Sequence, residues 1–273
     1  MPRSRANRHF VPRQRDAALF SGPTGWVEGI GLAGLALARC LGLYLRILIG
    51  KARLDLPAFA ASLRQAGLSI LPAITLVSLV VGLILGHQSQ SILGQLDLPE
   101  LILASGAYLV VMEVIPILVG ILVAGRAGVA LAVRQASLAV SGEIDGLLIN
   151  GVDPIRLTLG PVLLAMLLMS FAFTVWGSLV TLGATGLWLW GMAGLSPASL
   201  LDAFGRALAP GDLVEALLKP LLFSLLVAVI ATVNGTAAGR DPEGIGQAAT
   251  RTMIGAVAAI LVADLLIVLL FRE

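Results

Sequence analysis

LTLGPVLLAMLLMSFAFTVWGSLVTLGATGLWLWGMAGLSPASLL, residues 157–201, runs for 45 positions without a charged side chain. A helix needs roughly 20 apolar residues to cross the hydrocarbon core of a bilayer. A surface helix of a soluble protein would show a charged face over that length, and this stretch shows none. It therefore holds a spanning helix, placed at 162–185, with Trp188 and Trp190 as interfacial anchors beyond it.

Four more apolar stretches lie on either side of it. The first span is placed at 66–86, with Pro72 inside it, which a membrane helix tolerates. Polar residues from His87 to Gln95 then read as a short exit loop. The second span is placed at 101–125 and is interrupted by Glu113 and Pro116. The fourth is placed at 216–234, and the fifth, at 252–271, carries Asp264. Composition agrees: 58% of the 273 residues are hydrophobic and 12% charged, against about 45–50% and 25% for soluble domains. That balance excludes a soluble enzyme and a disordered chain, and a single cysteine, Cys40, excludes a disulfide scaffold.

The remaining charges are sorted along the chain. Residues 1–25 form a basic tail with Arg3, Arg5, Arg8, Arg13 and Arg15. Residues 26–64 are apolar but punctuated; Arg39 and Arg46, seven apart, share a helical face, so this region reads as an interfacial elbow helix. Residues 65–273 then form a five-span permease domain. With the N-terminus inside, the inner segments hold ten Lys/Arg before the first span, three in 126–156 and two in 235–251. The outer segments hold Arg206, Lys219 and Arg272. The positive-inside rule thus puts the N-terminus in the cytoplasm and the C-terminus outside. The expected fold class is an all-α membrane protein with an elbow helix and five transmembrane helices.

Chemical motifs are few. GIGLAG at 29–34 matches a dinucleotide fingerprint but lacks the strand and βαβ unit that such a site needs. Gly50-Lys51 has no glycine five residues earlier and no Ser/Thr after it, so it is no phosphate-binding loop, and any ATP is bound by a partner subunit. No cofactor is expected. His9, His87 and Cys40 do not suffice for a zinc site or an intramembrane catalytic centre. Gly82 and Gly86 form a GxxxG pair suited to tight helix packing, such as at a dimer axis. Glu113 and Asp264 lie at depths where ionised groups face a bundle interior, a wet cavity or a partner. They read either as a substrate path or proton relay, or as a hydrogen-bonded structural pair. The segment 126–156 reads as an amphipathic cytoplasmic helix placed to dock a soluble partner, because a structureless connection that long is unusual.

AGRAG at 124–128, GEIDGL at 142–147 and GVDPIR at 151–156 resemble, in that order, the MlaE/YrbE permeases of lipid-transporting ABC systems. NG at 234–235, EGIGQAATR at 243–251 and VAD at 262–264 fit the same family, and the similarity runs from about residue 60 to the end. The resemblance implies a homodimeric permease in the bacterial inner membrane, with a periplasmic C-terminus. It further implies a cytoplasmic ABC ATPase dimer and an outer ring of MCE-domain proteins as partners, phospholipid or a related lipid as substrate, and no nucleic acid. Departures from the family pattern fall at Met112, Ile115, Arg134 and Gly142. Within this frame Arg134, Glu143, Asp145, Asp153 and Arg156 are the expected ATPase-coupling residues, with Arg126 and Arg251 at the cytoplasmic edge. Leu76, Val80, Leu83 and Leu261 are the expected lipid-cavity residues. Each buried methylene contributes about 0.8 kcal/mol, so tails would supply affinity and little head-group selectivity. Two rival readings are a proton-coupled secondary transporter using Glu113 and Asp264, and a non-transporting scaffold. Five spans without a visible inverted repeat argue against the first.

Overall fold

The computed structural model describes residues 56–64, 69–93, 99–143, 154–239 and 241–271, with scattered positions between and before them. The basic tail at 1–25 and most of the elbow region at 26–64 lie outside the described residues, as do Asp145, Asp153 and the side chain of Arg156. Every element among the described residues is helical. Helix α1 spans Leu56–Leu63 and α2 spans Leu71–Leu93. Helix α3 is continuous over 99–141 but contains two π-helical turns, Val110–Val114 and Ala124–Gly128. Then come α4 (Pro154–Ala193), α5 (Pro197–Ala207), α6 (Pro210–Thr236) and α7 (Pro242–Phe271). Five of these, α2, α3, α4, α6 and α7, are long and apolar enough to cross a membrane.

Proline punctuates this bundle. Pro99, Pro154, Pro197, Pro210 and Pro242 each open a helix, where the fixed φ suits the first turn and the missing N–H would have no intrahelical partner. Helices α3 and α4 are followed by Gly142 and Gly194 with φ of 74° and 68°, the left-handed stop that a side chain opposes.

Several boundaries differ from the sequence reading. Helix α2 begins at Leu71, so Pro72 falls in its first turn and breaks no hydrogen bond. At its other end the stretch read as an exit loop stays helical to Leu93. Gln90 explains this: it accepts a hydrogen bond from Trp188 Nε1 at 2.9 Å and donates to the carbonyl of Met192 at 3.1 Å. The polar side chain finds its partners on α4 and the helix need not end. His87 adds an edge-to-face contact with the Trp188 ring, centroids 5.6 Å apart.

The segment read as a separate amphipathic connection is, up to Ser141, the last part of α3. Leu131, Ala132, Gln135 and Ala136 are buried there, packed on α6 and α7, while Arg134 is exposed on the opposite side. The same amphipathicity that suggested a docking helix thus seats this segment on the bundle. Helix α5 begins within the uncharged run and continues past it through Asp202 and Arg206. Ser196 caps it by accepting the N–H of Ser199 at 3.1 Å, and Leu200 and Ala203 bury against the start of α3 and the end of α4.

The contact of α2 with α4 answers the GxxxG question within one chain. A Cβ on Gly82 would lie 2.4 Å from the carbonyl oxygen of Thr181, and one on Gly86 would lie 2.7 Å from Trp188 Cβ. Backbones this close let Thr181 donate to the carbonyl of Ser78 at 3.1 Å and Thr185 to that of Gly82 at 2.9 Å. Small residues with interhelical hydroxyl bonds suit a solvent that is itself apolar.

Candidate functional site

Helix α3 cannot be regular near its middle. Pro116 has no N–H to give the carbonyl of Met112 four residues earlier, and its ring crowds that carbonyl. The π-turn at Val110–Val114 immediately precedes it. Such turns often mark functional positions, and this one carries Glu113.

Lys219 of α6 fills the gap. Its Nζ donates to the Met112 carbonyl at 3.1 Å, to Glu113 Oε2 at 2.7 Å and to Asp264 Oδ1 at 3.0 Å. All three ammonium hydrogens thereby have an acceptor. The lysine side chain is 1% exposed, against 15% for Glu113 and 11% for Asp264, so the cation lies beneath and the carboxylates edge its rim. One side chain joins α3, α6 and α7. The two carboxylates identified from sequence are therefore brought together, but through a lysine that the sequence reading placed among the outer basic residues. The structure corrects that placement: Lys219 is buried inside the fourth span, and the outer count falls to Arg206 and Arg272. The signal was available, since Lys219 is the lone charge between Glu215 and Arg240.

Chemically, a lysine between two acids can hold three helices in register and can exchange partners when they move apart. Removing one member of a buried pair leaves an uncompensated charge, at a typical cost of about 3–5 kcal/mol. Among the described residues no three His, Cys, Asp or Glu side chains gather where they could hold a metal ion.

The other expected residues fall in two places. Leu76 and Val80 are exposed on α2, with Leu83 beside them half-buried, and Leu261 is exposed on α7. Helix α2 packs chiefly on α4, and α7 chiefly on α6 and the end of α3, so within one chain these residues do not line a common cavity. At the arginine-bearing end of the bundle, Arg126, Arg134, Glu143 and Arg251 are exposed. Arg126 Nε donates to Ser69 Oγ at 3.3 Å, tying α3 to the segment before α2, and Arg251 Nη2 donates to Gln247 Oε1 at 3.4 Å. Of the two departures in this region, Gly142 has a structural reason, its left-handed φ. Nothing in the structure explains Arg134.

Comparison with known proteins adds a family. The model of the permease MlaE family matches residues 59–270. A probable ABC transporter permease protein of Rickettsia prowazekii is 27% identical over 208 residues, covering 75% of this chain and 79% of its own. The intermembrane phospholipid transport system permease protein MlaE of Haemophilus influenzae is 27% identical over 247 residues, covering 85% and 90%. The chloroplast protein trigalactosyldiacylglycerol 1 of Arabidopsis thaliana is 30% identical over 152 residues, covering 56% of this chain and 43% of its own.

Proposed function

Because the chain belongs to the MlaE permease family and is a multi-pass ABC transporter permease, we propose that it moves phospholipid or a related lipid between the inner membrane and an MCE-protein carrier. The match over 59–270 carries this reading. In it the chain hydrolyses nothing itself: a separate cytoplasmic ATPase dimer supplies the energy, and two copies of this chain form the pathway. The outward leucines of α2 and α7 suit such a pairing, since Leu76, Val80 and Leu261 could share a cavity only across two chains. Orientation follows from charge: fifteen Lys/Arg lie on the inner side and two outside once Lys219 is assigned to the bundle.

ATP-driven closure would press on the exposed end of α3 and the segment beyond it, with Arg134, Glu143, Asp145, Asp153 and Arg156 as contacts and Arg126 and Arg251 at the edge. The Lys219 cluster joins the three helices that must move relative to one another. A transport cycle needs two states that bind lipid differently, and an ion cluster with exchangeable partners supplies a defined resting state. The rival in which Glu113 and Asp264 relay protons alone is less well supported, because Lys219 stands between them.

The test is reconstitution with a cognate ABC ATPase and MCE-domain protein. ATP-dependent transfer of labelled phospholipid to the MCE protein is expected. Transfer on a pH gradient without ATPase would favour the rival. Reversing Glu143 and Asp145 to lysine is expected to release the ATPase in a pull-down, and undiminished association would remove them from the docking surface.

A further inference from the structure

The two π-turns of α3 bracket a nine-residue segment, Ile115–Val123. They are not alike. The first is pinned by Pro116 and by Lys219 on Met112 and Glu113. The second, AGRAG at 124–128, contains no proline and has glycine at two of its five positions. A π-turn holds one residue more than the α-helix around it. When hydrogen bonds switch from i+5 to i+4 on one side, that surplus residue moves along the helix, and each residue it passes turns by about 100°.

We propose that the Ala124–Gly128 turn migrates toward the pinned one, turning the segment 115–123 by one residue, and that this rotation couples the arginine-bearing end to the Lys219 cluster. The packing on both sides of the segment is close enough to pass such a turn on to its neighbours. On one side it meets α2 closely, with Ile74, Val77 and Ser78 against Ile115, Leu118, Val119 and Leu122. Side chains of the segment that turn there press on α2.

On the other side Gly120 makes the contact. A Cβ at that position would meet both Phe223 Cδ2 and Ile260 Cδ1 at 3.2 Å. One residue of rotation replaces Gly120 with Val119 or Ile121, a branched side chain where a single methyl is already tight. The result is a wedge between α3 and the pair α6 and α7. Phe223 lies one turn from Lys219 and Ile260 one turn from Asp264, so the wedge acts where the ion cluster is held. At the far end, the migrating turn abuts α6 through Gly128 and Val227, whose Cγ1 would sit 2.5 Å from an added Cβ, and α7 through Gly125 and Met253. A push on the last part of α3 thus reaches the turn directly.

Two measurements on the full chain test this. The first uses no transport: deleting Ala127 removes the surplus residue, and amide hydrogen exchange over 115–123 is expected to slow by about tenfold or more relative to the intact chain, since each shift of the turn opens backbone bonds. Equal exchange in a folded deletion variant would overturn the proposal. The second rests on the lipid-transport reading. In a Cys40→Ala background, Val77→Cys with Leu118→Cys is used to tie the segment to α2 where the two helices meet. The oxidised protein, assembled with its ATPase, is expected to lose about tenfold or more of its lipid transfer and to regain it on reduction, a barrier change of about 1.4 kcal/mol per factor of ten. Unchanged transfer with the disulfide formed would also overturn the proposal, including where the deletion variant fails to fold. If the exchange result holds while the reduced double-cysteine protein moves no lipid, the transport reading fails and the rotating segment stands.

Discussion

Lys219 Nζ lies 2.7 Å from Glu113 Oε2 across 106 positions of sequence, and the same nitrogen reaches Asp264 at 3.0 Å. Three helices meet at one ammonium that is itself 1% exposed. The cluster is therefore the place where a single substitution has the largest electrostatic consequence.

Lys219→Met removes the cation and leaves two carboxylates facing each other. A loss of about 3–5 kcal/mol is expected, which in a chain of this size is a fall in melting temperature of about 10 °C. The triple variant Glu113→Gln, Lys219→Met, Asp264→Asn is expected to recover most of that loss, because no charge is left unpaired. Thermal unfolding in detergent distinguishes them; a single variant as stable as the parent would show that the cluster contributes little to folding.

Gly82→Ala is expected to break the α2 and α4 contact, since the new methyl would lie 2.4 Å from a backbone oxygen that cannot step aside. Gly183→Ala in α4 meets nothing within 4 Å and is expected to be neutral or stabilising by up to about 1 kcal/mol. The yield of monodisperse protein after solubilisation reads out the contrast.

Trp188→Phe keeps an aromatic ring, though a smaller one, and deletes the indole N–H, leaving Gln90 Oε1 without its 2.9 Å donor. A loss of about 1 kcal/mol is expected, with faster hydrogen exchange confined to the last turn of α2. Uniform loosening of the whole bundle would show instead that this clasp is part of the core.

Gly142→Glu puts an acidic side chain where Gly142 ends α3. At φ 74° the side chain is strained by about 1–2 kcal/mol, and the end of α3 is expected to fray. A circular dichroism melt with an added low-temperature phase would report it; an unaltered melt would mean that the chain beyond Ser141 adapts without cost.

The spans were legible because hydrocarbon imposes one coarse rule on some 20 residues at a time. Boundaries were less so, and for local reasons. The stretch after Gly86 looked like a loop because Gln88, Gln90 and their neighbours are polar, yet a partner on α4 satisfies Gln90 and the helix goes on. The second half of α3 looked like a docking helix because its apolar stripe does not say whether a partner or the chain's own bundle will cover it. Glu113 and Asp264 stood out by their depth, whereas Lys219 was counted with the outer loops although it is buried in the bundle. Charge counting treats each basic residue as a topological marker and has no means of noticing that one of them answers two acids. The π-turns left only indirect marks, a proline and a pair of glycines.

The hydroxyl-to-carbonyl bonds between α2 and α4 also separate what stays from what slides. A contact made of apolar side chains alone gains little over the lipid it displaces, so such a seam can open and close at small cost. Thr181 and Thr185, each latched to a backbone oxygen of α2, make a seam of the opposite kind. Along this seam those two helices are held as one unit. Against that fixed edge, even a one-residue turn of a neighbouring helix becomes a displacement with a direction.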